Sequence, residues 1–167
     1  MDLNEFKSII NDDLLKKIKQ SYGLAVFANK RSRFEGWLKV ELVNILIQKG
    51  KNALPEVDRL DIVFDDILGI ELKTINTNYN FDRKSITDNF NGKPITDNVN
   101  SIIKDINKLD NSNLKHKFII FIVFPIHHNH KLWQKHLKKI TKNKSEYCYS
   151  EFKFKKNIPG VIYFFKV

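Results

Sequence analysis

Asp61, Glu71 and Lys73 are the residues of this 167-residue chain whose types and spacing could do chemistry. They lie in Val57-Asp-Arg-Leu-Asp-Ile-Val-Phe64 and Ile67-Leu-Gly-Ile-Glu-Leu-Lys-Thr74, two short apolar runs separated by Asp65 and Asp66. Side chains on a strand alternate between faces. Glu71 and Lys73 therefore point one way, and Ile70 and Leu72 the other. In the first run Asp61 shares its face with Arg59 and Val63, while Leu60, Ile62 and Phe64 form the opposite, apolar face. The Asp65-Asp66 break is short enough for a hairpin. Antiparallel pairing then brings Asp61 beside Glu71 and Lys73. Two carboxylates within reach of one ion suit Mg2+, which takes oxygen ligands and keeps several waters. Such an ion stabilises charge on a phosphate and acidifies a bound water. Lys73 could position or deprotonate that water, or neutralise the transition state. The set has the minimum equipment of a metal-dependent phosphodiesterase. Asp58 is the runner-up for the first aspartate, but it falls on the apolar face of its strand. Glu-x-Lys alone is a weak signal in a chain this charged, because an ordinary surface hairpin carries it too. The apolar flanks and the aspartate upstream make it more specific.

The elements that must position these residues read from periodicity. Leu3, Phe6, Ile9, Ile10, Leu14 and Ile18 recur at helical spacing over residues 3–20. A second helix spans residues 32–48, with Ser32 as N-cap, Gly50 at its end and a stripe of Phe34, Leu38, Leu42, Ile45 and Leu46. The hairpin follows at 57–75. Residues 76–100, rich in Asn, Asp and Thr, form a long loop, in which Asn76, Thr77 and Asn78 are candidate groove contacts. Asn98 to Leu109 reads as a helix, with Asp105 and Lys108 on its polar side. Phe118 to Phe124 is a continuous apolar strand buried on both faces. Leu132 to Ile140 is a basic helix, Phe152 to Phe154 a short strand, and Val161 to Lys166 a last strand. This order describes one α/β domain over 1–167, a mixed sheet with helices covering its faces.

With these residues in this order, the chain resembles the PD-(D/E)xK nuclease superfamily and its restriction-endonuclease-like fold. The resemblance covers roughly residues 30–126: a glutamate-bearing helix with Arg33-Phe-Glu-Gly-Trp-Leu-Lys-Val-Glu-Leu42, Asp61, Glu71-Leu72-Lys73, the helix 98–109 and the strand 118–124. The proline of the signature is absent, since Leu60 precedes Asp61. The resemblance implies a metal set of Asp61, Glu71 and Leu72, with Mg2+ as the ion and Mn2+ as a substitute. It implies that Lys73 acts on the attacking water. It also implies that a helix glutamate completes the site. Glu35 and Glu41 flank opposite edges of the apolar stripe, about 120° apart, so one of them faces the metal; Glu35, nearer the helix start, is favoured. The implied function is Mg2+-dependent hydrolysis of DNA phosphodiesters, as in restriction, junction-resolving or repair enzymes. A homodimer is compatible with cutting two strands. A non-catalytic nucleic-acid-binding module on the same fold is the alternative.

Charge points to the same partner. All of the net +10 arises from residues 115–167, which hold 12 Lys against Glu146 and Glu151. A lopsided basic field suits a polyanion. Nucleic acid fits better than a membrane, because no long amphipathic stretch with exposed apolar residues accompanies the lysines. Lys135, Lys138, Lys139, Lys142 and Lys144 cluster along and after the Trp133 helix, where lysines on phosphates give affinity without sequence information. Arg31, Arg33, Arg59 and Lys108 are further phosphate candidates. Trp37 and Trp133 sit at core-compatible helical positions. His127-His128-Asn129-His130 could bind a transition metal, but adjacent loop histidines without a carboxylate are poorly placed for one. The single cysteine, Cys148, excludes an internal disulfide. The longest apolar run is too short to cross a bilayer, and the N-terminus does not read as a signal peptide. A cytoplasmic setting is the simplest expectation.

Overall fold

The computed structural model describes residues 3–80, 85–86, 95–141 and 146–167. In it the apolar run at 118–124 lies within β6 (His116–Phe124), an interior strand of a six-stranded sheet. β1 (Ala53–Val57), β2 (Leu60–Phe64) and β3 (Leu68–Asn76) form an antiparallel meander. β3 then runs parallel to β6, from Leu68 opposite His116 to Asn76 opposite Phe124. β8 (Pro159–Lys166) lies antiparallel between β6 and β7 (Cys148–Lys153), so the sheet order is β1-β2-β3-β6-β8-β7. The core expected over residues 30–126 is thus completed by two strands from the C-terminal end of the chain.

A strand without polar alternation needs cover on both faces, and each face has its own core. On one, Phe6, Ile10, Leu14, Leu38 and Leu42 pack against Ile70, Leu72, Ile120 and Ile122. They come from α1 (Leu3–Ser8), a π-helical turn (Ile9–Leu14), α2 (Leu15–Gln20) and α4 (Glu35–Gln48). On the other, Val99, Ile102 and Leu109 of α5 (Ile95–Asp110) and Trp133 and Leu137 of α6 (Lys131–Ile140) pack against Ile119, Phe121 and Val123. Trp133 is fully buried and its Nε1–H donates to Tyr163 Oη at 2.6 Å.

Several boundaries differ from the sequence reading for local reasons. Ser21 accepts a hydrogen bond from Leu24 N–H and starts an unforeseen short helix, α3 (Tyr22–Asn29). Ser32 is not the cap of α4; Phe34 precedes the helix, and its N–H donates to Thr74 Oγ1 at 3.3 Å. Gly50 closes α4 as expected, at φ +76°, with Lys51 N–H returning to Leu46 O at 3.0 Å. Asp65 and Asp66 both take positive φ within the three-residue connection 65–67 between β2 and β3. Asp58 and Arg59 do the same and form a second turn, joining β1 to β2. Arg59 therefore stands in a turn and does not share a strand face with Asp61. Asp58 is exposed there rather than facing the core. β1 was not expected; its Pro55 is tolerated because β1 is an edge strand. Leu60 joins the α5 side of the core, not the side of Ile62 and Phe64.

Of the stretch 76–100 expected as loop, residues 81–84 and 87–94 lie outside the described residues. Tyr79–Asn80 (β4) pairs with Ser85–Ile86 (β5), and α5 begins at Ile95. Among the described residues no helix is long and apolar enough to cross a membrane. Gly160 of β8 faces the ring of Phe152, where an added Cβ would lie 2.7 Å from Cζ and 3.0 Å from Cε2. Gly160→Ala is expected to destabilise the protein by about 2 kcal/mol, as overpacking against a rigid ring does. A lower urea midpoint at unchanged slope would show it.

Candidate active site

The ladder between β2 and β3 runs from Phe64 opposite Leu68 to Ile62 opposite Ile70. One further step in the same register sets Asp61 opposite Glu71. Beyond that step two backbone N–H groups of β3 are taken by carboxylates instead of a strand. Leu72 N–H donates to Asp61 Oδ2 at 2.8 Å, and Thr74 N–H donates to Glu35 Oε2 at 3.0 Å. Side-chain oxygens thus seal the edge where β2 gives out.

Lysines bind these acids into one network. Lys73 Nζ lies 2.9 Å from Asp105 Oδ2 of α5 and 3.6 Å from Glu35 Oε1. Lys39, one turn after Glu35 on α4, places its Nζ 2.7 Å from Asp61 Oδ1 and also binds Glu56 of β1. Lys108 pairs with Glu71 and donates to the carbonyl oxygen of Arg59. Asp61, Glu71 and Lys73 share the sheet face covered by α5, while Glu35 reaches them from the start of α4.

Five acids (Glu35, Glu56, Asp61, Glu71 and Asp105) against three lysines leave the network net negative, and the cost falls on Glu71, the most buried of them. It is 2% exposed, and burial pushes its carboxyl up to about 7. Lys108 opposes that rise, whereas Asp61 and Asp105 add to it. Asp61 is also penalised by burial, but Lys39 and the Leu72 N–H outweigh that and hold it below the usual carboxylate range. Burial works against the charge of Lys73, yet Asp105, Glu35 and Asp61 together raise its pKa. Lys73 is firmly an ammonium.

Among the described residues no three His, Cys, Asp or Glu side chains form a ready metal cage. The donor chemistry still fits a hard divalent ion. Asp61 and Glu71 are opposed, half-buried or buried carboxylates with an unbalanced charge between them. Mg2+ is held by one or two carboxylates, with water and phosphate completing its shell.

Of the two helix glutamates, Glu35 is in the network and Glu41 is not; Glu41 pairs with Lys17 at 2.7 Å on the far side of α4. Lys108 was expected to meet phosphate or to pair along its helix with Asp105. The helix pair does not form, because Glu71 takes the Lys108 ammonium and Lys73 takes Asp105. Arg33 is exposed and its Nη2 donates to Asn98 Oδ1 at 2.5 Å, tethering the start of α4 to α5. Arg59 is exposed in its turn. Asn76 and Thr77 are buried rather than groove-facing: Asn76 Nδ2 donates to Arg31 O, and Thr77 Oγ1 donates to Pro125 O. Lys135, Lys138 and Lys139 are exposed on α6, which packs beside α5 on the site's side of the sheet. Lys142 and Lys144 lie outside the described residues.

A groove beside the network runs between Asp58 and Leu60 on one side and Asn111 to Leu114 on the other, with Lys108 on its wall. The histidine loop does have a carboxylate near it, contrary to the sequence reading. Glu151 of β7 accepts from His128 N–H at 2.6 Å and lies 3.8 Å from His127 Nδ1. Lys39 and Glu56 escaped sequence reasoning, and Asp105 was placed only on the polar side of its helix. The signal for Lys39 was there, four residues after Glu35 and so on the same helix face. Compared with known proteins, the chain matches no family model, no curated protein and no solved structure.

Proposed function

We propose that the chain is a metal-dependent nuclease with a restriction-endonuclease-like core, hydrolysing DNA phosphodiester bonds. The observation that carries this reading is the meeting of Asp61, Glu71, Lys73 and Glu35 at the splayed β2–β3 edge. Asp61 and Glu71 would hold Mg2+, with Leu72 between them contributing through its backbone. The ion supplies charge stabilisation at the phosphate and a more acidic water. Lys73 stays protonated, so it is not the base; it provides a fixed positive charge to the attacking water and the developing phosphate charge. Glu35, beside Lys73, accepts the water's proton. The water oxygen bonds to phosphorus, the bond to the leaving oxygen breaks, and that oxygen takes its proton from solvent. Lys135, Lys138 and Lys139 hold the backbone of the nucleic acid, and Arg33 and Arg59 flank the site. Two such sites in a homodimer would let it cut both strands of a duplex together.

A second reading draws on the ion pairs themselves. Every acid of the network already holds a lysine or a backbone N–H, which is what a non-catalytic nucleic-acid-binding module on this scaffold would show. Incubation of supercoiled plasmid with Mg2+, Mn2+ or EDTA separates the two. The nuclease nicks or linearises it with either ion and leaves it intact in EDTA. Salt-sensitive binding without cleavage in any ion establishes the second reading, and absence of both binding and cleavage sinks the two together. Duplex, single strand, four-way junction and RNA substrates then define the target.

A further inference from the structure

We infer that Lys39 is a built-in competitor for the cation position of Asp61 and sets how readily the site takes a divalent ion. The inference rests on the proposed metal site and adds a residue that the resemblance does not supply. Lys39 Nζ sits 2.7 Å from Asp61 Oδ1, and the lysine side chain is 17% exposed. The second oxygen of Asp61 is fixed on Leu72 N–H. The oxygen left for an ion, Oδ1, is therefore the one that Lys39 occupies.

Lys39 also has somewhere to go. Its ammonium already bridges to Glu56 on β1, whose side chain is 69% exposed. When an ion takes Asp61 Oδ1, Lys39 moves outward with Glu56 and presents its charge at the mouth of the site, where a phosphate would arrive. Glu56 is thus the positioning residue that draws Lys39 off Asp61. Lys108 stands in the same relation to Glu71 but is more exposed, at 38%, and less constrained. α4 carries the two controls one turn apart. Glu35 holds Lys73 in place, and Lys39 holds Asp61 closed.

The test is Mn2+ binding by calorimetry, without nucleic acid, so the answer does not depend on cleavage. Lys39→Met should bind Mn2+ at least about tenfold more tightly than the wild type, the scale of one charge-assisted hydrogen bond removed from competition. Lys39→Arg should restore weak binding. Glu56→Gln should weaken it further, because Lys39 then has only Asp61 to hold. A purely structural lysine would move the other way: its loss would loosen Asp61 and weaken Mn2+ binding. Equal or weaker binding by Lys39→Met, with the melting temperature kept within a few degrees of wild type, overturns the inference while leaving the metal site standing. No Mn2+ binding by any variant at millimolar concentration overturns both.

Discussion

Replacing Lys73 with alanine is expected to lower Mg2+-dependent DNA cleavage by about a thousandfold, the loss that follows removal of one preorganised charge-stabilising group. Lys73 is enclosed, with Asp105 at 2.9 Å, Glu35 at 3.6 Å and only 18% of its side chain exposed. The other two lysines of the network stand elsewhere, Lys39 on Asp61 and Glu56 and Lys108 on Glu71. Arginine should not rescue it, since a planar guanidinium cannot substitute for a compact ammonium between two fixed carboxylates. Asp61→Asn should lose activity to a similar extent while keeping an oxygen for Leu72 N–H, so its fold stays intact. Plasmid cleavage rates give the answer, with circular dichroism to confirm folding. Wild-type rates from Lys73→Ala would end the nuclease reading.

The second large effect is on stability. Between about pH 5 and pH 8, the metal-free protein is expected to lose up to about 3 kcal/mol through Glu71 alone. The folded protein keeps the Glu71 proton up to a pH of about 7, whereas an unfolded glutamate releases it near 4.5. Between those values the native state binds more protons than the unfolded state, so stability falls as pH rises. Below the lower value both states are protonated and nothing is lost. Above the upper value both are ionised and the loss is complete. Lys108 accompanies Glu71 and makes the figure an upper one. Melting temperatures in EDTA across this range should fall for the wild type and stay flatter for Glu71→Gln. Mg2+ added at the alkaline end should recover the wild type only. Parallel curves for the two proteins would show that Glu71 does not carry the charge imbalance. Cleavage should rise through the same range, because the ionised carboxylate is the form that binds an ion.

The residues of one strand face were legible because period two is a local property. Glu71 and Lys73 needed only β3 to be a strand, and Asp61 needed only the Asp65-Asp66 turn. Glu35 was legible as one of two glutamates, and the choice fell to geometry: it alone reaches Thr74 N–H. Arg59 was misplaced because a strand was extended through a turn; Asp tolerates positive φ, but for Arg59 it is unusual, and no glycine marked the turn. β1 was missed because an edge strand can hold a proline and an exposed glutamate that a central strand cannot. Lys39 and Asp105 act across long sequence separations: Lys39 of α4 meets β1 and β2, and Asp105 of α5 meets β3. Periodicity can put them on a helix face but cannot say what that face meets.

The sealing of the β3 edge by Asp61 and Glu35 has an evolutionary consequence. Both acids serve two masters: the oxygen that bonds a strand's N–H belongs to the same carboxylate that chemistry would use. Drift at these positions is therefore penalised even in a lineage that has abandoned catalysis, and asparagine or glutamine would satisfy the sheet there. Lys73 and Lys39 bear no such double duty toward the backbone. In a decaying descendant Lys73 and Lys39 would vanish first, leaving the carboxylates behind as fossils, so a surviving lysine at 73 is the better mark of a working site than a surviving acid.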